Sequence, residues 1–137
     1  MEPQSTQNTQ MDTGEDRINL LSKRIIGCAL TVLHALGTGF LEKIYENALV
    51  HELRKSGLAV SQQHPMLVRY DGIVVGDYTV DLLVEQTILV ELKVAKVIDE
   101  IHRAQCLNYL QAAGLHLCLL LNFGRSRLEI KRIVLAL

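Results

Sequence analysis

The stretch VDLLVEQTILVELK, residues 80 to 93, carries Asp81, Glu91 and Lys93 in an otherwise apolar run. Ionised groups are costly to bury unless they are paired or bound to something. Two acids and an ammonium here therefore ask for a common purpose. Side chains alternate faces along a strand. If the run is a hairpin with its turn centred on Gln86, Asp81 lies directly across from Glu91, and Thr79 from Lys93. Val80, Leu82 and Val84 then share a wholly apolar face with Ile88, Val90, Leu92 and Val94. Opposed residues have Cβ atoms about 5 Å apart, and like charges so placed are destabilising. A divalent cation between the two acids reverses that sign, since Mg²⁺ is commonly held by one or two carboxylates with water and substrate phosphate. Lys93, on the same face, would steer an attacking water and stabilise developing charge. The alternative for the same spacing is a solvated face on which Lys93 screens two acids. A one-residue slip of register would also separate the pair.

Two helical stretches bring further polar groups. In GFLEKIYENAL, residues 39 to 49, the turn of about 100° per residue places Glu42 between Leu49 and Leu53 at one side of the apolar arc. Glu46 falls just beyond it. Glu42 is thus a candidate third carboxylate for the hairpin, or one member of an ordinary surface pair. In HRAQCLNYL, residues 102 to 110, His102, Gln105 and Tyr109 form one stripe, while Ile101, Ala104, Leu107 and Leu110 form another. A polar stripe beside an acidic hairpin would orient Lys93 or contact phosphate; taken alone, it is a helix face. The histidines at 34, 51, 64 and 116 have no ligand spacing and read as structural or surface residues.

The elements that must position these groups are legible from periodicity. Apolar residues from Ile18 to about Ala35 recur at spacings of three and four, which predicts an amphipathic helix. Gly37-Thr38-Gly39 ends it, and a second helix runs from about Phe40 to Lys55. The period then changes to two. Strands are expected over 60–70, 74–84 and 88–94, with Asp71-Gly72 as a hairpin turn. A third helix follows over 99–113, capped by Asp99 and closed by Gly114. Strands at 116–122 and 128–134 complete the order ααβββαββ, an α/β sandwich with a mixed central sheet. Residues 1–17 read as a polar, disordered tail, and 18–137 as one domain.

Composition sets bounds on function. A chain of 137 residues with 49% apolar and 21% charged residues is an ordinary globular domain. No run approaches the roughly 20 apolar residues that span a membrane, and no secretory signal opens the chain, so a cytoplasmic or nuclear location is the expectation. Cys28, Cys106 and Cys118 lack metal or disulfide spacing and read as buried free thiols. The net charge is −1, but Glu2, Asp12, Glu15 and Asp16 all lie in the tail. Removing those four from the 15 acidic residues leaves 11 against 14 basic ones, an excess of 3. That permits nucleic-acid binding without requiring it.

Together the three patches resemble the GxxExxY protein family, a branch of the PD-(D/E)XK nuclease-like superfamily. The naming motif is present as Gly39, Glu42 and Tyr45 in GFLEKIY. The nuclease-type core looks like Asp81 followed by Glu91-Leu92-Lys93. Gln105 and Tyr109 in QCLNY are similar to the QxxxY element of nucleases fused to recombination helicases, and LLLNFG and IKRIV also look like the family's C-terminal half. The resemblance spans about residues 18 to 134 and implies a restriction-endonuclease-like fold. It implies Asp81, Glu91 and Glu42 as ligands of Mg²⁺ or Mn²⁺, with the Leu92 carbonyl as a further one, and Lys93 as the catalytic lysine. Gln105, Tyr109, Tyr45, Glu46 and His102 would support the site. Val80 stands where Pro is usual before the first acid, which removes no ligand. The cysteines that hold an iron–sulfur cluster in some relatives have no counterparts here. The expected function is a metal-dependent nuclease acting on nucleic acid, DNA foremost, with a homodimer as one way to grip a duplex. The alternative is a non-catalytic module of the same fold that binds protein or nucleic acid.

Overall fold

Eight elements in the expected order ααβββαββ make up the computed structural model, which describes residues 14–136. The first helix, α1, spans Gly14–Leu36. It starts before the expected Ile18, so residues 14–17 are helical where a disordered tail was expected; the rest of the expected tail lies outside the described residues. Glu15 and Asp16 fall in its first turn, where the helix dipole favours negative charge. By length and composition α1 would suffice to cross a membrane, contrary to the expectation that no segment does. Its stripe of Ile25, Cys28, Ala29, Val32 and Leu33 is instead buried in the core.

Helix α2, Glu42–Lys55, packs beside α1 and buries Tyr45, Leu49, Val50 and Leu53 with them. The strands are β1 Val60–Tyr70, β2 Ile73–Val84, β3 Ile88–Lys93, β4 Leu117–Asn122 and β5 Glu129–Val134, and helix α3 spans Glu100–Ala113. They form one sheet in the order β1-β2-β3-β4-β5. Only β3 and β4 run parallel. A parallel pair needs a crossover, and α3 supplies it. Asp99 caps α3 by accepting from the backbone of Ile101 and His102, and Gly114 closes it at φ +69°, both as expected.

The sheet separates two cores. Leu82, Val84, Ile88, Val90, Leu92, Leu117, Leu119 and Leu121 pack under α1 and α2. Leu83, Leu89, Cys118 and Leu120 pack under Cys106, Tyr109 and Leu110 of α3. Strand β4 is buried along its whole length, as expected of a parallel strand covered on both faces.

The central hairpin adopts the expected register: Leu82, Leu83 and Val84 face Val90, Leu89 and Ile88. Two details depart from simple alternation. The ladder between β2 and β3 ends at Leu82 and Val90, so Thr79 does not face Lys93 but pairs with Pro65 of β1. Val80 packs with Leu83 and Leu89 under α3, not with Leu82. The two-residue period is therefore broken at Asp81. Opposite that break, Gln63 of β1 has φ +51°, and the regular pairing passes from Gln62–Leu82 to His64–Val80.

Candidate active site

Where the β2–β3 ladder stops, two side chains take over its hydrogen bonds. Leu92 N donates to Asp81 Oδ2 at 2.8 Å, and Asp81 N donates to Glu91 Oε1 at 3.1 Å. Each acid thus accepts a backbone N–H from the other's strand, which fixes both carboxylates at the point where the strands part. Glu91 is 6% exposed. Burial, then the neighbouring Asp81 charge, pushes its carboxyl up to about 8, against the Asp81 N–H and Lys93, which pull it down. Asp81 is also raised, first by burial, while the N–H of Leu92 acts the other way. A buried Glu91 that resists ionisation beside a half-buried Asp81 makes a place where a cation is favoured.

Lys93 Nζ lies 3.8 Å from Glu91 Oε2 and donates to Gln105 Oε1 of α3 at 3.4 Å. The segment after it is clamped from the next strand. The fully buried Asn122 donates to Ala95 O at 2.8 Å and accepts from Ala95 N at 3.0 Å. Phe123 N donates to Lys93 O at 2.8 Å. Gly124 is required at the next place, because a β-carbon there would run into the Ala95 backbone. Glu129 steadies the clamp by accepting from Asn122 Nδ2 and Ile98 N. The LNFG stretch thus holds the strand that presents Lys93.

The acids of α2 exchange the places expected of them. Glu42 is exposed, with its carboxyl raised by partial burial and by Asp81. Glu46 is the interior one, at 1% exposure. It accepts from Lys43 at 2.9 Å and from Gln62 at 2.6 Å, and its two oxygens both accept from Gln63 Nε2, at 3.0 and 3.1 Å. Burial pushes Glu46 up, but the hydrogen bonds from Gln62, Gln63 and Lys43 outweigh it and hold the carboxyl below its usual range.

The supporting residues divide. Gln105 touches Lys93, as above. Tyr109 is buried beneath the acids, edge-on to Tyr78 at 5.4 Å, and burial followed by the Glu91 charge raises its hydroxyl pKa. His102 is a cap: its Nδ1 accepts from Asp99 N at 3.3 Å. Tyr45 is fully buried and stacks on Phe123 at 4.9 Å. Its hydroxyl donates to Gly37 O at 2.5 Å and accepts from Phe40 N at 3.3 Å. Tyr45 therefore pins the α1–α2 connection, where Gly39 adopts φ +106°, and sets the entry of α2. Tyr45→Phe is expected to cost about 1–2 kcal/mol of stability while leaving any metal-dependent activity near wild type. Urea unfolding beside an activity assay checks this; a stable but inactive variant would contradict it.

Sequence reasoning missed Gln63 and Asn122. The signals were an amide pair, Gln62-Gln63, in a strand, and an amide closing the apolar run LCLLLN within the family-like LLLNFG. A hollow of about 500 Å³ lined by Tyr78, Arg69, Asn108 and Gln111 lies between the β1–β2 hairpin and α3, away from the acids.

Among the described residues, no three His, Cys, Asp or Glu side chains converge to enclose a metal ion. The set of Asp81, Glu91 and Glu42 expected from sequence is thus not assembled as a cage. Two fixed carboxylates still suit Mg²⁺ or Mn²⁺, which take hard oxygen donors and keep much of their water.

A sequence model described as the PD-(D/E)XK nuclease superfamily matches residues 19–133. A solved protein titled "Crystal structure of SSO0001" superposes with a TM-score of 0.55 at 18% identity, covering 69% of this chain and 50% of that one. The likeness is one of fold, over half of that protein's length. No curated protein matches the chain.

Proposed function

The chain belongs to the PD-(D/E)XK nuclease superfamily, and from that premise we propose that it is a divalent-metal-dependent nuclease hydrolysing phosphodiester bonds of nucleic acid, DNA foremost. The observation that carries the reading is the interlocked Asp81–Glu91 pair with the Lys93 ammonium 3.8 Å away. Asp81 and Glu91 would hold Mg²⁺ or Mn²⁺, with the Leu92 carbonyl as a further donor. When bound, the ion supplies positive charge at the phosphate and lowers the pKa of water.

The chain's own residues do the rest. Lys93, oriented by Gln105 and its clamped strand, stabilises negative charge building on the phosphoryl oxygens during in-line attack by water. A P–O bond to water forms as the P–O bond to the leaving nucleotide breaks. Glu42, at the exposed start of α2, adds negative potential beside the pair. The excess of basic over acidic residues outside the first 16 positions supports a polyanionic substrate.

The test is a panel of labelled single- and double-stranded DNA and RNA incubated with Mg²⁺, Mn²⁺ or EDTA, beside calorimetric titration with Mn²⁺. Cleavage confined to the metal-containing samples is expected. Nucleic-acid binding with no Mn²⁺ uptake and no cleavage would leave the non-catalytic module as the reading.

A further inference from the structure

Gln63 sits within β1, where neighbouring residues are extended, yet its φ is +51°. Residues with a β-carbon seldom adopt that region, and holding one there costs free energy. Packing does not explain it, because Gln63 is exposed. The regular pairing of β1 with β2 omits the position opposite Asp81. What the unusual backbone achieves is a contact. Gln63 Nε2 donates to Asp81 Oδ1 at 3.2 Å and, on its other side, to the Glu46 carboxylate at 3.0 and 3.1 Å.

An amide nitrogen carries two hydrogens, one for each acid. Asp81 is thereby held from two strands: Leu92 N of β3 fixes Oδ2 at 2.8 Å, and Gln63 of β1 fixes Oδ1. Glu46 is the anchor. It is buried and is held by Lys43 and Gln62 as well, so it fixes the amide from behind.

We propose that Gln63 is a positioning residue: it holds the Asp81 carboxylate in the orientation that receives a divalent cation, and the chain tolerates its strained backbone for that hold. The inference rests on the metal-dependent reading above and adds to it a residue that the sequence motifs do not contain. Strain and function can be pulled apart. Glycine and asparagine both accept positive φ more readily than glutamine. Neither spans the gap between Glu46 and Asp81, since asparagine is one methylene short.

The experiment compares the wild-type chain with Gln63→Gly and Gln63→Asn by urea unfolding in EDTA and by electron paramagnetic resonance titration of Mn²⁺, with Glu91→Gln as the control. Supporting partners of metal ligands typically affect affinity by about 10- to 100-fold. The expected result is a loss of that size in both variants, with stability equal to or above wild type. Loss of affinity in step with loss of stability would mark a merely structural residue and overturn the proposal, as would affinity within twofold of wild type. Wild-type protein that takes up no Mn²⁺ sinks the metal-dependent reading and this inference with it. Uptake that is lost in Glu91→Gln but kept in both Gln63 variants sinks this inference alone.

Discussion

Replacing Lys93 by methionine is expected to slow metal-dependent cleavage by about 10²- to 10⁴-fold while leaving Mn²⁺ affinity equal to wild type or tighter. Methionine matches the length of the lysine stem, and the Lys93 side chain is only 21% exposed, so packing is preserved. The ammonium is what is lost. At 3.8 Å from Glu91 Oε2 it competes with a cation for the acid pair, so its removal leaves the potential there more negative and the site no poorer for a cation. The Gln105 carbonyl loses a donor at 3.4 Å, a long bond whose loss costs little. Rate measurements at saturating Mg²⁺ and Mn²⁺ titrations on the same preparation give the two halves of the result. A Lys93→Met protein cutting within tenfold of wild type would remove Lys93 from the mechanism.

The second expected result is a reversal of sign. Glu91 titrates at about 8 in the fold against an ordinary 4.5, so between those values the folded chain binds more protons than the unfolded one. Stability without metal therefore falls as pH rises from about 4.5 to about 8 and levels off above, where Glu91 is ionised in both states. Asp81, also raised, adds a slope of the same sign. Glu91→Gln removes the buried charge but keeps a carbonyl oxygen for the Asp81 N–H. In EDTA at pH 9 the variant should exceed wild type by about 1–2 kcal/mol, the usual gain from relaxing a functional site, with the gap closing toward pH 5. In Mn²⁺ at about 100 times its dissociation constant, binding stabilises wild type by about 2.7 kcal/mol and the variant hardly at all, so the order inverts. Urea midpoints at pH 5 and 9, with and without Mn²⁺, test each part. Parallel wild-type and Glu91→Gln curves under all four conditions would show that the pair is neither strained nor a metal site.

The hairpin that carries both residues could be placed from sequence because its information is local. The short polar turn Glu85-Gln86-Thr87 between two runs of Val, Leu and Ile sets the register, and the structure adopts the expected one. Alternation failed at Asp81, where the break lies opposite the positive-φ backbone of Gln63 on another strand, and no side chain of β2 encodes it. Glu42 and Glu46 exchanged places for a related reason. The buried stripe of α2 runs through Glu46, Leu49, Val50 and Leu53, so Glu46 lies in line with it, whereas Glu42 begins the helix beyond the part that the sheet covers. His102 and Ile101 went astray together: the first turn of α3 is taken up by the Asp99 cap, and Ile101 is exposed. Cys106, Tyr109 and Leu110 form the face that reaches the sheet.

Beyond Asp81 the β1–β2 pair projects past its neighbours as a ribbon, and that has a consequence for the protein in concentrated solution. In the described pairings β3 meets β2 only over Leu82–Val84, so the ribbon has hydrogen-bonding groups open along both margins, and Leu67, Tyr70, Ile73, Val74 and Val75 are exposed on it. Such a strip invites another strand to add alongside it. The ribbon also carries the features that discourage this. Pro65 lacks an N–H, the register shifts between Val68 and Arg69, and Asp71 at the tip and Asp77 along the ribbon place charge on it. Substitutions at Pro65 or Asp77, outside either core, are therefore expected to change colloidal behaviour more than folding energetics, which light scattering beside urea unfolding would check.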